Sequence, residues 1–170
     1  MDIDRLSPES LRRRAVLSLI LAGALLIFLG SCAQPVPGEP DAPSDDWRTV
    51  DVGGFATLRM PSDAQDTGAR GIDSVAGVLR GDGYEVVYDH GRHGERLDPY
   101  VNQPDHAMRT REISGKAAVD VSFRAKGRPL PYARILQVQN GLETLTVHVS
   151  CIDADTCRVA DRIFDSVTLQ

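Results

Sequence analysis

The sequence predicts an α+β fold, an antiparallel sheet of about six to eight strands with at least one helix packed on it near the C-terminus. Three observations lead there. After Trp47 the chain breaks into short alternating or β-branched runs separated by Gly, Pro and Asp, the pattern of successive strands. Asp82-Gly83 and Asn140-Gly141 fall between such runs, and both dipeptides favour tight hairpin turns. One stretch near the end places Val159, Ile163, Phe164 and Val167 at helical spacing.

The chain before this sheet has its own logic. Arg12, Arg13 and Arg14 precede an apolar run over residues 15–29, and small residues then lead to Cys32. That is the three-part layout of a secretory signal peptide. A spanning helix needs about 20 apolar residues, and this run is shorter, with Ser18 and Gly23 inside it. The Arg13-Arg14 pair fits an ordinary basic start and also the paired arginines of a twin-arginine signal. Leu29-Gly30-Ser31-Cys32 resembles the lipobox of bacterial lipoproteins. The resemblance implies removal of residues 1–31, lipidation of the Cys32 sulfur, acylation of the new amino terminus, and anchoring to a membrane through lipid. One acyl chain binds a bilayer only marginally, whereas several hold durably. Ala33 and Gln34 follow, without the Asp that keeps many such proteins at the inner membrane. In a cell with two membranes, the periplasmic face of the outer membrane is the expected location.

Residues 32–46 contain four prolines, four acids and no large apolar side chain except Val36. Such a segment cannot bury enough surface to offset its ordering entropy, so it reads as a disordered tether. Residues 47–170 remain, 124 in number, enough for one domain with one core. This part carries 17 acidic and 15 basic residues, interspersed. It has no basic footprint for phosphates, which argues against nucleic acid as a partner. Cys151 and Cys157 enclose a short loop in a chain expected to be exported. In that compartment the pair reads as a disulfide in preference to a redox couple, since the spacing is not that of a dithiol motif.

The strands follow in order. A first begins near Thr49, interrupted by Gly53-Gly54, and residues 55–60 form a second, stopped by Pro61. Residues 63–71 read as a polar loop. Residues 74–79 and 84–88 form a hairpin, and 89–105 a long irregular loop. A second hairpin joins 108–113 to 117–123 across Ser114-Gly115-Lys116, and a third joins 132–138 to 142–150 across Gln139-Asn140-Gly141. In the last strand Leu145, Val147 and Val149 share one face, and Thr144, Thr146, His148 and Ser150 the other. The terminal helix takes Asp155 or Thr156 as its N-cap.

An early strand ending in proline (GFATLRMP), paired strands in the middle and a terminal RVADRIFDSVTL pattern resemble the PsbP-like fold. That fold occurs in photosystem extrinsic subunits, Ran-binding proteins and several bacterial lipoproteins. The resemblance implies an accessory or binding module without shared catalytic residues, so it carries no site over.

The densest polar constellation is Asp89-His90-Gly91-Arg92-His93-Gly94-Glu95, with Asp98 close behind. His90 and His93 are the candidate metal ligands, since imidazoles with carboxylates suit zinc or a similar ion; the alternative is a solvated loop. His106 and His148 stand alone in the sequence, and Ser62, Ser74, Ser114, Ser122 and Ser150 lack a nucleophile-elbow context. No phosphate-binding or dinucleotide fingerprint is present, so no cofactor is indicated. Arg80-Gly81-Asp82 fits a hairpin turn without any adhesive role. These signals favour a noncatalytic, lipid-anchored envelope protein that binds another envelope component or assists an assembly. The alternatives are a metal- or small-ligand-binding protein using the 89–105 loop, and an envelope hydrolase whose residues meet only in three dimensions.

Overall fold

A computed structural model describes residues 46–170; the expected leader, Cys32 and nearly all of the expected tether lie outside the described residues. Among the described residues are ten strands, one α-helix and a short 3-10 turn. A three-stranded sheet, in the order β1-β2-β10, is built from β1 (Trp47–Val52), β2 (Ala56–Pro61) and β10 (Thr168–Leu169). A seven-stranded sheet, in the order β3-β4-β5-β9-β8-β7-β6, is built from β3 (Gln65–Asp66), β4 (Val75–Gly81), β5 (Tyr84–Gly91), β6 (Ala107–Ile113), β7 (Lys116–Arg124), β8 (Tyr132–Asn140) and β9 (Glu143–Cys151). Every paired neighbour is antiparallel. With α1 (Arg158–Asp165) packed on the sheet, the architecture is the α+β one expected. No helix among the described residues is long and apolar enough to cross a membrane.

Period-two alternation decides which side chains enter the core. Val86 of β5, Leu136 and Val138 of β8, and Leu145, Val147 and Val149 of β9 are buried on one face of the large sheet. Val52, Leu58 and Met60 of the small sheet and Ala160, Ile163 and Phe164 of α1 close over them. Each such large apolar side chain contributes roughly 1.5–3 kcal/mol on burial, so α1 and the small sheet are held mainly by this layer. A separate cluster, Val121, Phe123, Ala133 and Ile135, lies on other β7 and β8 positions, which alternation assigns to the opposite face. Leu97, Tyr100, Val119 and Ala125 pack against it. The sheet therefore has a second covered surface, and the cleft described below is built on it.

Four local expectations are corrected. Residues 89–91 are not loop: β5 continues to Gly91, with Asp89 opposite both Ala76 and Thr146, and His90 opposite Val75 and Leu145. A ladder uses backbone groups, so polar and glycine residues do not stop a strand that has partners on both sides. The polar stretch at 63–71 contains β3, two residues paired with Leu79 and Arg80. The third hairpin turns at Gly141-Leu142, because Asn140 pairs with Glu143; Gly141 takes φ 67°, as the first central position of a II′-type turn requires. The residue at the N-cap of α1 is Cys157, not Asp155 or Thr156, and it makes no side-chain cap. Residues 153–157 already turn, with Cys157 N–H donating to Asp153 O at 3.1 Å and Thr156 N–H to Asp153 Oδ1 at 2.7 Å. Asp153 thus does one turn earlier what a cap would do, and its carboxyl is held below the usual range by the Thr156 backbone and side-chain hydrogen bonds.

That lead-in turn brings Cys157 back to the end of β9. Cys151 and Cys157 lie at disulfide distance with Cα atoms 5.4 Å apart, consistent with a bond that staples the sheet to α1.

Candidate functional site

A cleft of about 530 Å³ opens on the sheet face bearing the second cluster. Strand positions supply its floor: Val87 of β5, Phe123 of β7, Ala133 of β8, and His148 and Ser150 of β9. Two connections supply its walls. The 92–106 segment contributes Tyr100, at the end of the 3-10 turn Asp98–Tyr100. Pro99 suits the start of such a turn, where its missing N–H is not needed. The 125–131 segment contributes Ala125, Arg128, Pro129 and Leu130, and the β4–β5 hairpin adds Arg80 and Glu85.

A line of polar contacts runs along one side. Gln137 Nε2 donates to the Glu95 carbonyl oxygen and fastens the 92–106 segment to β8. The Tyr100 hydroxyl donates to Glu95 Oε1, and Glu95 Oε2 lies 3.3 Å from His148 Nδ1. His148 Nε2 is 3.5 Å from Ser150 Oγ, at the outer limit of a hydrogen bond. Tyr100 stacks on Phe123 with centroids 4.3 Å apart, and His148 stands edge-on to both rings. Burial pushes the Glu95 carboxyl up, but the hydrogen bonds from His148 and Tyr100 and the His148 charge outweigh it, and the net direction is down. Burial first, then the bond to Glu95, pushes the Tyr100 hydroxyl up to about 12, so it stays a proton donor.

Glu95, His148 and Ser150 therefore fall in the order of an acid–base–nucleophile relay. What such a relay also needs is a set of donors about 2.7–3.1 Å from the developing oxyanion. Ser150 is the penultimate residue of β9, paired opposite Glu85 of β5 on one side and Ala133 of β8 on the other. The backbone amides around it belong to those ladders, which leaves the guanidinium groups of Arg80 and Arg128 as the charged donors lining the cleft.

The sequence-selected histidines lie elsewhere. His90 stacks on Phe55 with centroids 3.7 Å apart, and its Nε2 is 3.3 Å from Glu143 Oε2 without hydrogen-bond geometry. His93 follows β5 and, with His90, Asp73, Asp89 and Glu143, borders a separate open cavity of about 790 Å³. Among the described residues no group of three or more His, Cys, Asp or Glu is arranged to hold a metal ion. The structure brings together residues distant in sequence: Glu95, from the end of the polar constellation, and Tyr100 from the long connection, with His148 and Ser150 from β9. The available signal was the strand period, which already put His148 and Ser150 on the face away from Leu145, Val147 and Val149; nothing local linked them to Glu95.

No family model matches the chain, and no curated protein sequence matches it significantly. In structure the chain is similar to the cyanobacterial PsbP (CyanoP) from Synechocystis sp. PCC 6803, with a TM-score of 0.53 at 10% identity, over 81% of this chain and 100% of that one. At that identity the likeness speaks for the fold alone. It bears out the PsbP-like architecture read from the early strand that ends at Pro61 and from the terminal 158–169 pattern.

Proposed function

We propose that this chain is an exported accessory protein, anchored at the cell envelope through lipid on Cys32, whose folded part binds a ligand or partner in the cleft between the 92–106 and 125–131 segments without transforming it. The observation that carries this reading is the cleft itself. It is concave, mixed in polarity and of the size usual for ligand sites, roughly 300–1,000 Å³. The lipobox resemblance supports the anchor, and the PsbP-like fold is compatible with an accessory role.

Photocrosslinking in intact cells tests it. A photoreactive residue at position 130, on the cleft wall, is expected to capture a defined envelope component, and the same residue at position 116, at the start of β7 beside the β6–β7 turn, is not. Mass spectrometry of the mature protein is expected to find an acylated Cys32 at the amino terminus. Identical capture from both positions, or an uncut chain with an unmodified Cys32, overturns the reading.

The alignment of Glu95, His148 and Ser150 favours one second reading, a hydrolase with Ser150 as nucleophile. A fluorophosphonate probe distinguishes the two. Covalent labelling that disappears in Ser150→Ala establishes the hydrolase, and absence of labelling leaves the binding module.

A further inference from the structure

We propose that the cleft accepts a small organic acid, a single carboxylate carried on an apolar body, with Arg128 as the group that reads its charge. The inference rests on the cleft being a ligand site, as proposed above, and goes on to its chemistry. Val87, Phe123, Ala125, Leu130 and Ala133 give the interior an apolar lining, which favours a body that leaves water on entering. The polar groups of the cleft are unequal in what they can still bind. Glu85 is engaged by Arg80, and Glu95, which lies beside the cleft and not in its lining, has both carboxylate oxygens engaged by Tyr100 and His148. Arg128, by contrast, has no carboxylate within 4.0 Å among the described residues. A guanidinium presents a planar fork of donors that matches a carboxylate with two parallel bonds. Ser150 Oγ, held only by a long contact to His148, is a second donor on the floor. An entering carboxylate therefore finds one free cation and one free hydroxyl at the edge of an apolar chamber. An entering ammonium group meets Arg128 with its own charge.

Equilibrium dialysis of the full-length protein against three probes of one shape tests this: 2-naphthoate, neutral 2-naphthamide and cationic 2-naphthylmethylamine. Naphthoate is expected to bind about fivefold better than the amide, the scale of one partly exposed ion pair, and the amine worst. Arg128→Gln, a change at an exposed loop position, is expected to erase that preference while the amide is unaffected. Arg92→Gln, at the other cavity, should change neither. Equal binding of acid and amide, preference for the amine, an unchanged Arg128→Gln variant, or no binding of any probe at millimolar concentration overturns the proposal. Capture from position 130 in cells, retained after such a result, leaves the binding module standing with a different ligand.

Discussion

Asp120 and Arg134 form a forked ion pair beneath α1, with Arg134 Nη2 2.9 Å from Asp120 Oδ2 and 3.1 Å from Oδ1. The Asp120 side chain is 1% exposed, and such a buried charge persists only where cations surround it. Arg109, directly opposite on β6, reaches Oδ2 at 2.7 Å, and Arg111 stands 3.8 Å away. The arginines then extend to α1: Arg134 to Asp161 at 3.1 Å, and Arg111 to Asp165. Three arginines and three aspartates balance, and together they tie three strands to the helix.

Replacing the centre of that knot leaves several cations facing a hole. Asp120→Ala is expected to destabilise the protein by about 3 kcal/mol, the scale for breaking a buried pair by removing one partner. Arg109→Ala, whose side chain is 61% exposed, should cost about 1 kcal/mol or less. Urea unfolding of both variants checks the ranking; equal costs would mean that Asp120 is not the organising charge.

How much of this was legible in the chain can be judged residue by residue. Hairpin positions were readable because Asp82-Gly83 and Ser114-Gly115 carry their own backbone preference; Ser114 and Gly115 take φ 49° and 75°, the mirror-image turn that suits a two-residue loop. The buried face of β9 was readable from alternation, and α1 from the spacing of Val159, Ile163 and Phe164. The end of β5 was not, because Asp89, His90 and Gly91 are ordered by strands on both sides and not by their own propensities. Nor were the contacts of Asp120 beyond its own hairpin, to Arg134 and through it to α1, or the meeting of Glu95 with His148, since these join side chains from segments whose pairing the local pattern does not encode. The motif dense enough to attract notice, around His90 and His93, borders one open cavity with Glu143 but, among the described residues, is not arranged as a group of three or more metal ligands.

The Cys151–Cys157 link closes a loop of six residues' separation. In the chain-entropy description such a loop contributes about 2 kcal/mol. Reduction, or the pair Cys151→Ala with Cys157→Ala, is expected to lower the unfolding free energy by that amount without loss of the fold, because Ile163 and Phe164 still hold α1 in the core. Thermal denaturation with and without reductant tests this, and insensitivity of the wild-type protein to reductant would contradict it.

Tyr84 is buried, and its hydroxyl has no hydrogen-bond partner among the described residues. Burial pushes that hydroxyl up to about 12, so the group is neutral but unsatisfied. Tyr84→Phe removes the stranded oxygen and is expected to be neutral or to stabilise by about 1 kcal/mol. The ring itself must remain, since it lies over Gly81, its cross-strand partner, where an added Cβ would collide with it. Gly81→Ala is therefore expected to destabilise, and Tyr84→Phe in the same chain not to rescue it. A large loss of stability in Tyr84→Phe would show that the hydroxyl has a partner.

Glu95 links the 92–106 segment to the sheet through His148 and braces Tyr100 within the segment, and its carboxyl is more acidic in the folded chain than in the unfolded one. A group with a depressed native pKa binds its proton more readily when unfolded. Its contribution is therefore complete above the ordinary glutamate value near 4.5 and is lost as pH falls through the lower native value. Acidification across that window should weaken the hold on the 92–106 segment, seen as lower amide protection over those residues relative to the intrinsic exchange rate at each pH. Asp66 and Asp153 are also depressed, so the Glu95 part must be isolated as the difference between wild type and Glu95→Gln. That variant keeps the shape but cannot ionise, and its stability difference from wild type is expected to shrink as pH drops below 4.5. A difference that stays constant between pH 7 and the acid limb would mean that the carboxylate charge does not hold this segment in place.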